Sequence, residues 1–258
     1  MPMLSGFTPP YTPSGRSALI PAPPWHYAGQ LLSLAFDVDR AVAQALLPDG
    51  FGQATGAAAA HFCEWQSTTD GSELLDPAYS QYREFLALVE VERAGARCFY
   101  CPFIYVDQDL SMARGWLQGW PKKFGSVWLT RAYELEHPAA APPRAGSRFG
   151  ASLAVKDRRL AEAALTLTGA AAAPIGFLAA PSYGLVPAAS VLGTPDRGRP
   201  TLARASVENK VAGPAHAATG MLRFLESPRD ELALLQPKAV TAASVSTFAM
   251  TITGATAA

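Results

Sequence analysis

The run Gly119-Trp120-Pro121-Lys122-Lys123-Phe124-Gly125 sets the hardest condition on any fold this chain adopts. Two adjacent lysines stand between Met112, Trp116, Leu117 and Trp120 on one side and Phe124, Val127, Trp128 and Leu129 on the other. A lysine amine titrates near pKa ~10.4 in water, so only roughly one in a few thousand is unprotonated at neutral pH. Apolar burial penalises the ammonium and lowers that value. A fold that keeps one of these amines dry therefore makes a nucleophile for carbonyl carbon. Pro121 fixes its own φ, has no N–H to donate and biases Trp120 towards extended geometry. The segment reads as a rigid extended entry into a strand from Phe124 to Tyr133. Successive side chains of extended backbone point to opposite sides. One lysine then faces a buried pocket while the other faces solvent or a carboxylate. The competing reading is a solvated pair of charges at a strand start, which is what such a pair usually is.

The rest of the chain supplies mostly strands. Residues 1–24, rich in Pro, Ser and Gly, read as an irregular N-terminal arm, packed across a neighbouring subunit, and 25–258 as one domain. An apolar run from Tyr27 to Phe36 predicts the first strand. Asp37 or Asp39 then caps a short helix with Val42, Leu46 and Leu47 on its inner face, ended by Pro48-Asp-Gly. Residues 57–67 alternate in strand fashion. Between Tyr82 and Glu92, the residues Tyr82, Glu84, Leu86 and Leu88 share one face and Phe85, Ala87, Val89 and Val91 the other. Ala94-Gly-Ala turns this strand into a second, Arg97 to Val106. Asp107 or Asp109 is the expected cap of the next helix, whose Leu110, Met112, Ala113, Trp116 and Leu117 would cover one side. Gly119 and Pro121 end that helix and deliver the lysines. A loop at 137–147 precedes a hairpin of Arg148 to Val155 and Arg159 to Thr168 about Lys156-Asp157. Residues 169–174 read as irregular, and 181–199 as a long connection overhanging a pocket. Further strands are expected at 201–210, 219–225 and 240–252. Many strands, few helices and frequent turns predict an α+β protein that is mostly antiparallel β, a barrel or cone with a few short peripheral helices.

Composition narrows the function. Formal net charge is zero, so there is no basic surplus to propose nucleic acid or an anionic membrane as partner. No apolar run near the N-terminus is long enough for a signal peptide or a membrane span, which makes a cytoplasmic enzyme the default expectation. The three cysteines, Cys63, Cys98 and Cys101, form no disulfide framework. Cys98 and Cys101 have CxxC spacing, but in a strand residues three apart face opposite ways. His26, His137 and His216 show no metal spacing, and no metal or cofactor is expected.

Four motifs in order resemble the acetoacetate decarboxylase superfamily: Tyr82-Arg83-Glu84-Phe85, Pro102-Phe103-Ile104-Tyr105-Val106-Asp107, Met112-Ala113-Arg114-Gly115 and Gly119-Trp-Pro-Lys-Lys123. Weaker similarity runs from about Trp25 to the 222–235 region. The resemblance implies a largely antiparallel barrel whose interior holds a reactive lysine. It makes Lys122 the Schiff-base nucleophile and matches Glu84 to the family's Tyr-x-Glu carboxylate. A lysine activated by desolvation or by a cationic neighbour is the general case that acetoacetate decarboxylase illustrates. Lys123 is the neighbour in sequence, but strand parity turns it away from Lys122, so desolvation is the stronger influence. Superfamily members assemble from several subunits, which implies a homo-oligomer of four or more chains.

Around Lys122, Tyr82 and Glu84 are the expected proton carriers, sharing one strand face. Gln118 is an amide suited to orienting a substrate carboxylate. Trp116, His61 and Tyr105 are expected pocket walls. Family decarboxylases carry an arginine near the first strand that handles the substrate carboxylate, whereas here Tyr27-Ala-Gly-Gln30 has none, and Arg16 and Arg40 lie elsewhere. That departure, with Gln118, resembles the divergent branch whose members condense pyruvate with an aldehyde and eliminate water, often in secondary metabolism. The expected partners are therefore a small keto acid and an aromatic or otherwise conjugated aldehyde. Decarboxylation of a β-keto acid by the same lysine, and a non-catalytic binding module, are the rival readings.

Overall fold

The structure is a computed structural model that describes residues 3–188 and 198–258. Eleven strands form one sheet: ten follow the order β11-β1-β2-β3-β4-β9-β10-β8-β7-β6, β5 pairs with β4 off this path, and a direct β10–β11 pairing closes the first seven of the ten into a ring. The ring is not a clean barrel, because β4 (Ala96–Val106) and β9 (Ser182–Val186) meet in parallel and only at Phe99 and Tyr100.

Four long antiparallel strands carry the fold: β1 (Trp25–Asp37), β2 (Gln53–Thr68), β3 (Gln81–Arg93) and β4. Their alternating side chains feed two separate cores, one on each face. Leu32, Phe36, Phe62, Phe85 and Val89 enter the first, which β6 (Ser126–Leu129), β7 (Arg148–Val155) and β8 (Arg158–Ala171) cover with Val127, Phe149, Leu153 and Leu165. Leu31, Cys63, Trp65, Tyr82, Leu86, Leu88 and Ile104 enter the second, inside the ring. Glu84 stands on this second face, as its parity with Tyr82 and Leu86 requires. Cys98 lies in the first core and Cys101 in the second, so the CxxC pair straddles the sheet. Edge-on aromatic contacts such as Phe62 on Phe85, 4.8 Å between centroids, fix the register within the first core.

The local signals fall where chemistry puts them in several places. Asp39 caps α1 (Arg40–Ala45), accepting from the amides of Ala41 and Val42, and the single turn α2 (Pro77–Ser80) starts on a proline. The β7–β8 turn uses Lys156 and Asp157 at φ 49° and 67°, the left-handed pair that a tight hairpin demands. The arm packs on its own chain: Phe7 meets Trp25 edge-on and Ile20 is buried.

Five expectations are corrected. Residues 169–171, expected to be irregular, continue β8, which runs to Ala171 and pairs there with His216. Residues 201–210 and 219–225 belong to a single strand, β10 (Thr201–Phe224), whose bulges at 206/207, 208/211 and 212/215 bend it from β9 and β11 (Ala239–Ala257) towards β8. The expected strand from Phe124 to Tyr133 splits at Gly125 into β5 (Lys122–Phe124), which pairs with β4, and β6, which pairs with β7 and ends at Leu129; Gly125 packs closely on Leu153 and Tyr105. The connection at 181–199 contains β9, and its residues 189–197 lie outside those described. The helix before the lysines, α3 (Asp109–Gln118), has Gln108 at its N-cap position with no side-chain cap, since Asp107 turns back to pair with Arg83 at 2.9 Å. Among the described residues no helix is long and apolar enough to cross a membrane.

Candidate active site

The helix α3 departs most from its expected packing. Its buried residues are Ser111, Arg114, Gly115 and Gln118, spaced i, i+3, i+4, i+7, so the stripe facing inward is polar. Trp116 and Leu117 point outward, 53% and 48% exposed. The reason lies in what the stripe covers. The aliphatic stem of Lys122 runs across Gly115, where an added Cβ would come within 2.4 Å of Lys122 Cδ. Only glycine leaves that channel open.

Gly119, at φ 90°, ends α3 in the left-handed conformation and turns the chain into β5. Three constraints then hold Lys122: β5 pairs in parallel with β4, Lys122 opposite Ile104; its amide donates to the Trp120 carbonyl at 2.8 Å; and its carbonyl accepts from Trp116 Nε1 at 2.7 Å. Its side chain enters the ring and is 8% exposed as a residue. Lys122 Nζ stands 2.6 Å from Glu84 Oε2, donates to Ser111 Oγ at 2.9 Å, and lies 5.4 Å from the centre of the Tyr82 ring. Trp65 Nε1 donates to the other carboxylate oxygen of Glu84 at 3.2 Å.

Burial pushes the Lys122 amine below its ordinary value, the Glu84 carboxylate opposes that shift, and the Arg114 guanidinium adds to it. The cation that disfavours the ammonium is thus Arg114, from the helix, and not Lys123. Arg114 is buried over the rings of Tyr27 and Trp25, at 5.2 and 5.7 Å, and has no carboxylate partner among the described residues. Burial also raises the phenols, Tyr27 to about 12 and Tyr82 well above its ordinary value, so both stay protonated and able to donate.

Lys122, Glu84 and the two phenols line one end of a cavity of about 220 Å³, with Arg114 and Ser111 behind that lining. Tyr27, Trp65, Tyr82, Glu84, Gln118 and Lys122 form the buried end, and Phe177, Phe248, Met250 and Ile252 form an apolar middle. Gln118 Nε2 donates to the Arg114 carbonyl at 3.1 Å, while its Oε1 is buried with no partner among the described residues.

Of the residues expected at the site, Lys122, Glu84, Tyr82 and Gln118 converge. Three expected walls do not reach the cavity. Trp116 is on the outer face of α3, where its indole braces β5. Tyr105 lies in the first core, across the sheet, donating to Asp230 Oδ1 at 2.6 Å. His61 sits one layer behind, its ring 4.6 Å from that of Phe177 and its Nδ1 2.8 Å from Ser33 Oγ; burial drops its pKa to about 3, so it is neutral. Lys123 leaves the opposite face of β5 and pairs with Asp230. Ser111, Arg114, Trp65 and Tyr27 are site residues that strand and motif reading missed. The i, i+3, i+4, i+7 spacing of Ser111, Arg114, Gly115 and Gln118 was the available signal.

The family profile described as acetoacetate decarboxylase (ADC) matches residues 8–258. The chain belongs to the acetoacetate decarboxylase family. Among solved structures, it is similar to the enduracididine biosynthesis enzyme MppR in complex with the condensation product of pyruvate and imidazole 4-carboxaldehyde. That match has 31% identity and a TM-score of 0.92, over 99% of this chain and 97% of that one. MppR complexed with pyruvate matches at 32% identity and TM-score 0.89, over 99% and 98%. An acetoacetate decarboxylase-like enzyme from Sphingomonas wittichii RW1 matches at 25% identity and TM-score 0.89, over 98% and 100%. A search of curated proteins found no match. The chain is thus structurally similar both to an acetoacetate decarboxylase-like enzyme and to MppR, which is solved with pyruvate bound, and its mostly antiparallel, ring-like sheet is the fold they share.

Proposed function

We propose that this protein is a Schiff-base lyase that condenses pyruvate with an aldehyde and eliminates water. One observation carries the reading: a buried amine, Lys122, hydrogen-bonded between a carboxylate and a hydroxyl at the closed end of a small cavity. The likeness to MppR bound to pyruvate and to a pyruvate–aldehyde condensation product supports the choice of substrates.

Lys122, once its proton has passed to Glu84 across their 2.6 Å contact, adds to C2 of pyruvate. The carbinolamine takes a proton from Glu84 and loses water to leave an iminium. The iminium withdraws electrons from C3, so Glu84 removes a C3 proton and an enamine forms. Enamine C3 attacks the aldehyde carbon, and the Tyr82 phenol, kept protonated by burial, donates to the developing alkoxide. Loss of a second C3 proton and of the new hydroxyl as water gives a conjugated iminium. Hydrolysis releases an α,β-unsaturated 2-keto acid and restores the amine. One pyruvate and one aldehyde yield one product and one water. In this scheme Gln118 lines the pyruvate end of the cavity, and Arg114, buried behind that lining over Tyr27 and Trp25, supplies a positive charge there. A buried guanidinium without a counter-ion is costly and is relieved by an anionic ligand.

The family supports a second reading, decarboxylation of a β-keto acid through the same iminium. Against it stands Gln30, near the first-strand position expected to hold an arginine: its amide donates to the Thr130 carbonyl at 2.7 Å and accepts from Ala132 N at 2.8 Å, outside the cavity. Borohydride added with pyruvate should place a covalent adduct on Lys122, read by peptide mass. Aldehyde added with pyruvate should then produce a conjugated chromophore. An unmodified Lys122 at saturating pyruvate overturns the reading, and rapid carbon dioxide release from acetoacetate without condensation selects the second.

A further inference from the structure

Arg204 and Lys210, both on β10, line the open end of the same cavity, and no step of the condensation above uses them. Both are exposed, in contrast to Lys122 and Glu84. The cavity is therefore graded along its length, from a buried polar end, through the apolar collar of Phe177, Phe248 and Met250, to a cationic mouth. Glu208 lies between the two in sequence but is turned to the other face of the strand, where it accepts from Thr253 Oγ1 at 3.4 Å. Glu84, the carboxylate of the lining, is already engaged by Lys122. The strand β10 carries register shifts against β11 at 206/207 and 208/211. A regular strand would put residues 204 and 210 on one face, but it would exclude Ala205 and Val207, which here line the cavity too.

Resting on the condensation reading, we infer that the aldehyde substrate carries a carboxylate at the end remote from its carbonyl, gripped by Arg204 and Lys210. Pyruvate occupies the lysine end, where Gln118 and the charge of Arg114 behind the lining serve its own carboxylate. The second substrate must cross the apolar collar and present its far end to the mouth. A guanidinium fork matches a carboxylate in two parallel hydrogen bonds, and an ammonium adds a point charge. The cavity, at about 220 Å³, lies below the roughly 300–1,000 Å³ of drug-sized sites, so the body between aldehyde and carboxylate is compact, on the scale of one ring.

The test uses 4-(hydroxymethyl)benzoate and its methyl ester, alcohols that cannot form an imine, titrated calorimetrically into the wild-type protein and an Arg204→Met/Lys210→Met double variant, each with its lysine end first filled by borohydride-trapped pyruvate. The wild type should bind the acid about tenfold or more tightly than the ester. The preference should shrink at high ionic strength, since the mouth is exposed. The double variant should lose the preference while keeping its melting temperature and its capture of pyruvate at Lys122 by borohydride. No binding of the acid, equal binding of acid and ester, or a preference that survives in the variant overturns the inference. Failure of pyruvate capture in both proteins defeats the condensation reading instead, and the acid-to-ester ratio still decides the chemistry of the mouth.

Discussion

Lys122 and Lys123 are neighbours in sequence and sit on opposite sides of a sheet. Lys122 enters the ring, where its amine touches Glu84 and Ser111 and is almost out of reach of water. Lys123 leaves the other face, its side chain 46% exposed, and closes a contact with Asp230 that also receives the Tyr105 hydroxyl. The same functional group is thus set up for chemistry in one place and for bracing in the other. What separates them is one step of strand parity plus the polar stripe of α3, which covers only one face. Adjacency in sequence does not by itself couple two side chains that leave opposite faces of a sheet; the charges that chiefly move the Lys122 amine are Glu84 and Arg114.

The largest break in this comparison is Lys122→Met, which should abolish pyruvate capture and turnover while the fold persists, because a methionine fits the channel over Gly115 without a buried charge. Borohydride labelling that persisted in this variant would put the reactive amine elsewhere. Glu84→Gln should lower turnover by roughly 10²–10⁴-fold, the range for a lost general acid–base group. Only unprotonated amine adds to a ketone, so capture should rise with pH and level off below the ordinary lysine pKa of ~10.4. Removing the Glu84 charge should move that inflection down, and Arg114→Met should move it up, because those two charges pull the Lys122 amine in opposite directions. An inflection at the ordinary lysine value would show a wet amine.

Gly115→Ala sharpens the contrast through packing. Its methyl would overlap the Lys122 stem, costing about 1–3 kcal/mol by the usual overpacking range, with loss of activity exceeding loss of stability. Thermal melts and single-turnover capture separate the two effects. Lys123→Met should do least to turnover, which stays unchanged, while stability falls by roughly 1–3 kcal/mol, because the nearly buried Asp230 carboxylate loses its cation. A large fall in turnover with an intact fold would return Lys123 to the site.

The site was partly legible in the chain. Tyr82, Glu84 and Leu86 alternate visibly, and Gly119 with Pro121 marks where α3 must stop and an extended segment begin. The errors share a cause. Trp116 and Tyr105 are both aromatic and close to the lysine motif in sequence, yet Trp116 sits on the outward face of its helix and Tyr105 on the far face of β4. The helix itself was read by its apolar residues, although the face that meets Lys122 is the polar one. Hydrophobic periodicity assumes that the buried stripe is apolar, and that assumption fails where a buried amine, a guanidinium and an amide need partners.

Sequence alone determined the parity that sends one lysine inward, the glycine and proline that end α3, and the shared face of Tyr82 and Glu84. These follow from backbone sterics and period-two geometry, which act over a few residues. Tertiary structure alone decided that β10 bends through its bulges to close the ring, that Arg114 is the cation beside Lys122, and that Arg204 and Lys210 gather at the mouth. Such placements depend on the pairing of strands far apart in the chain, and electrostatic influence follows distance in space and the dielectric between groups.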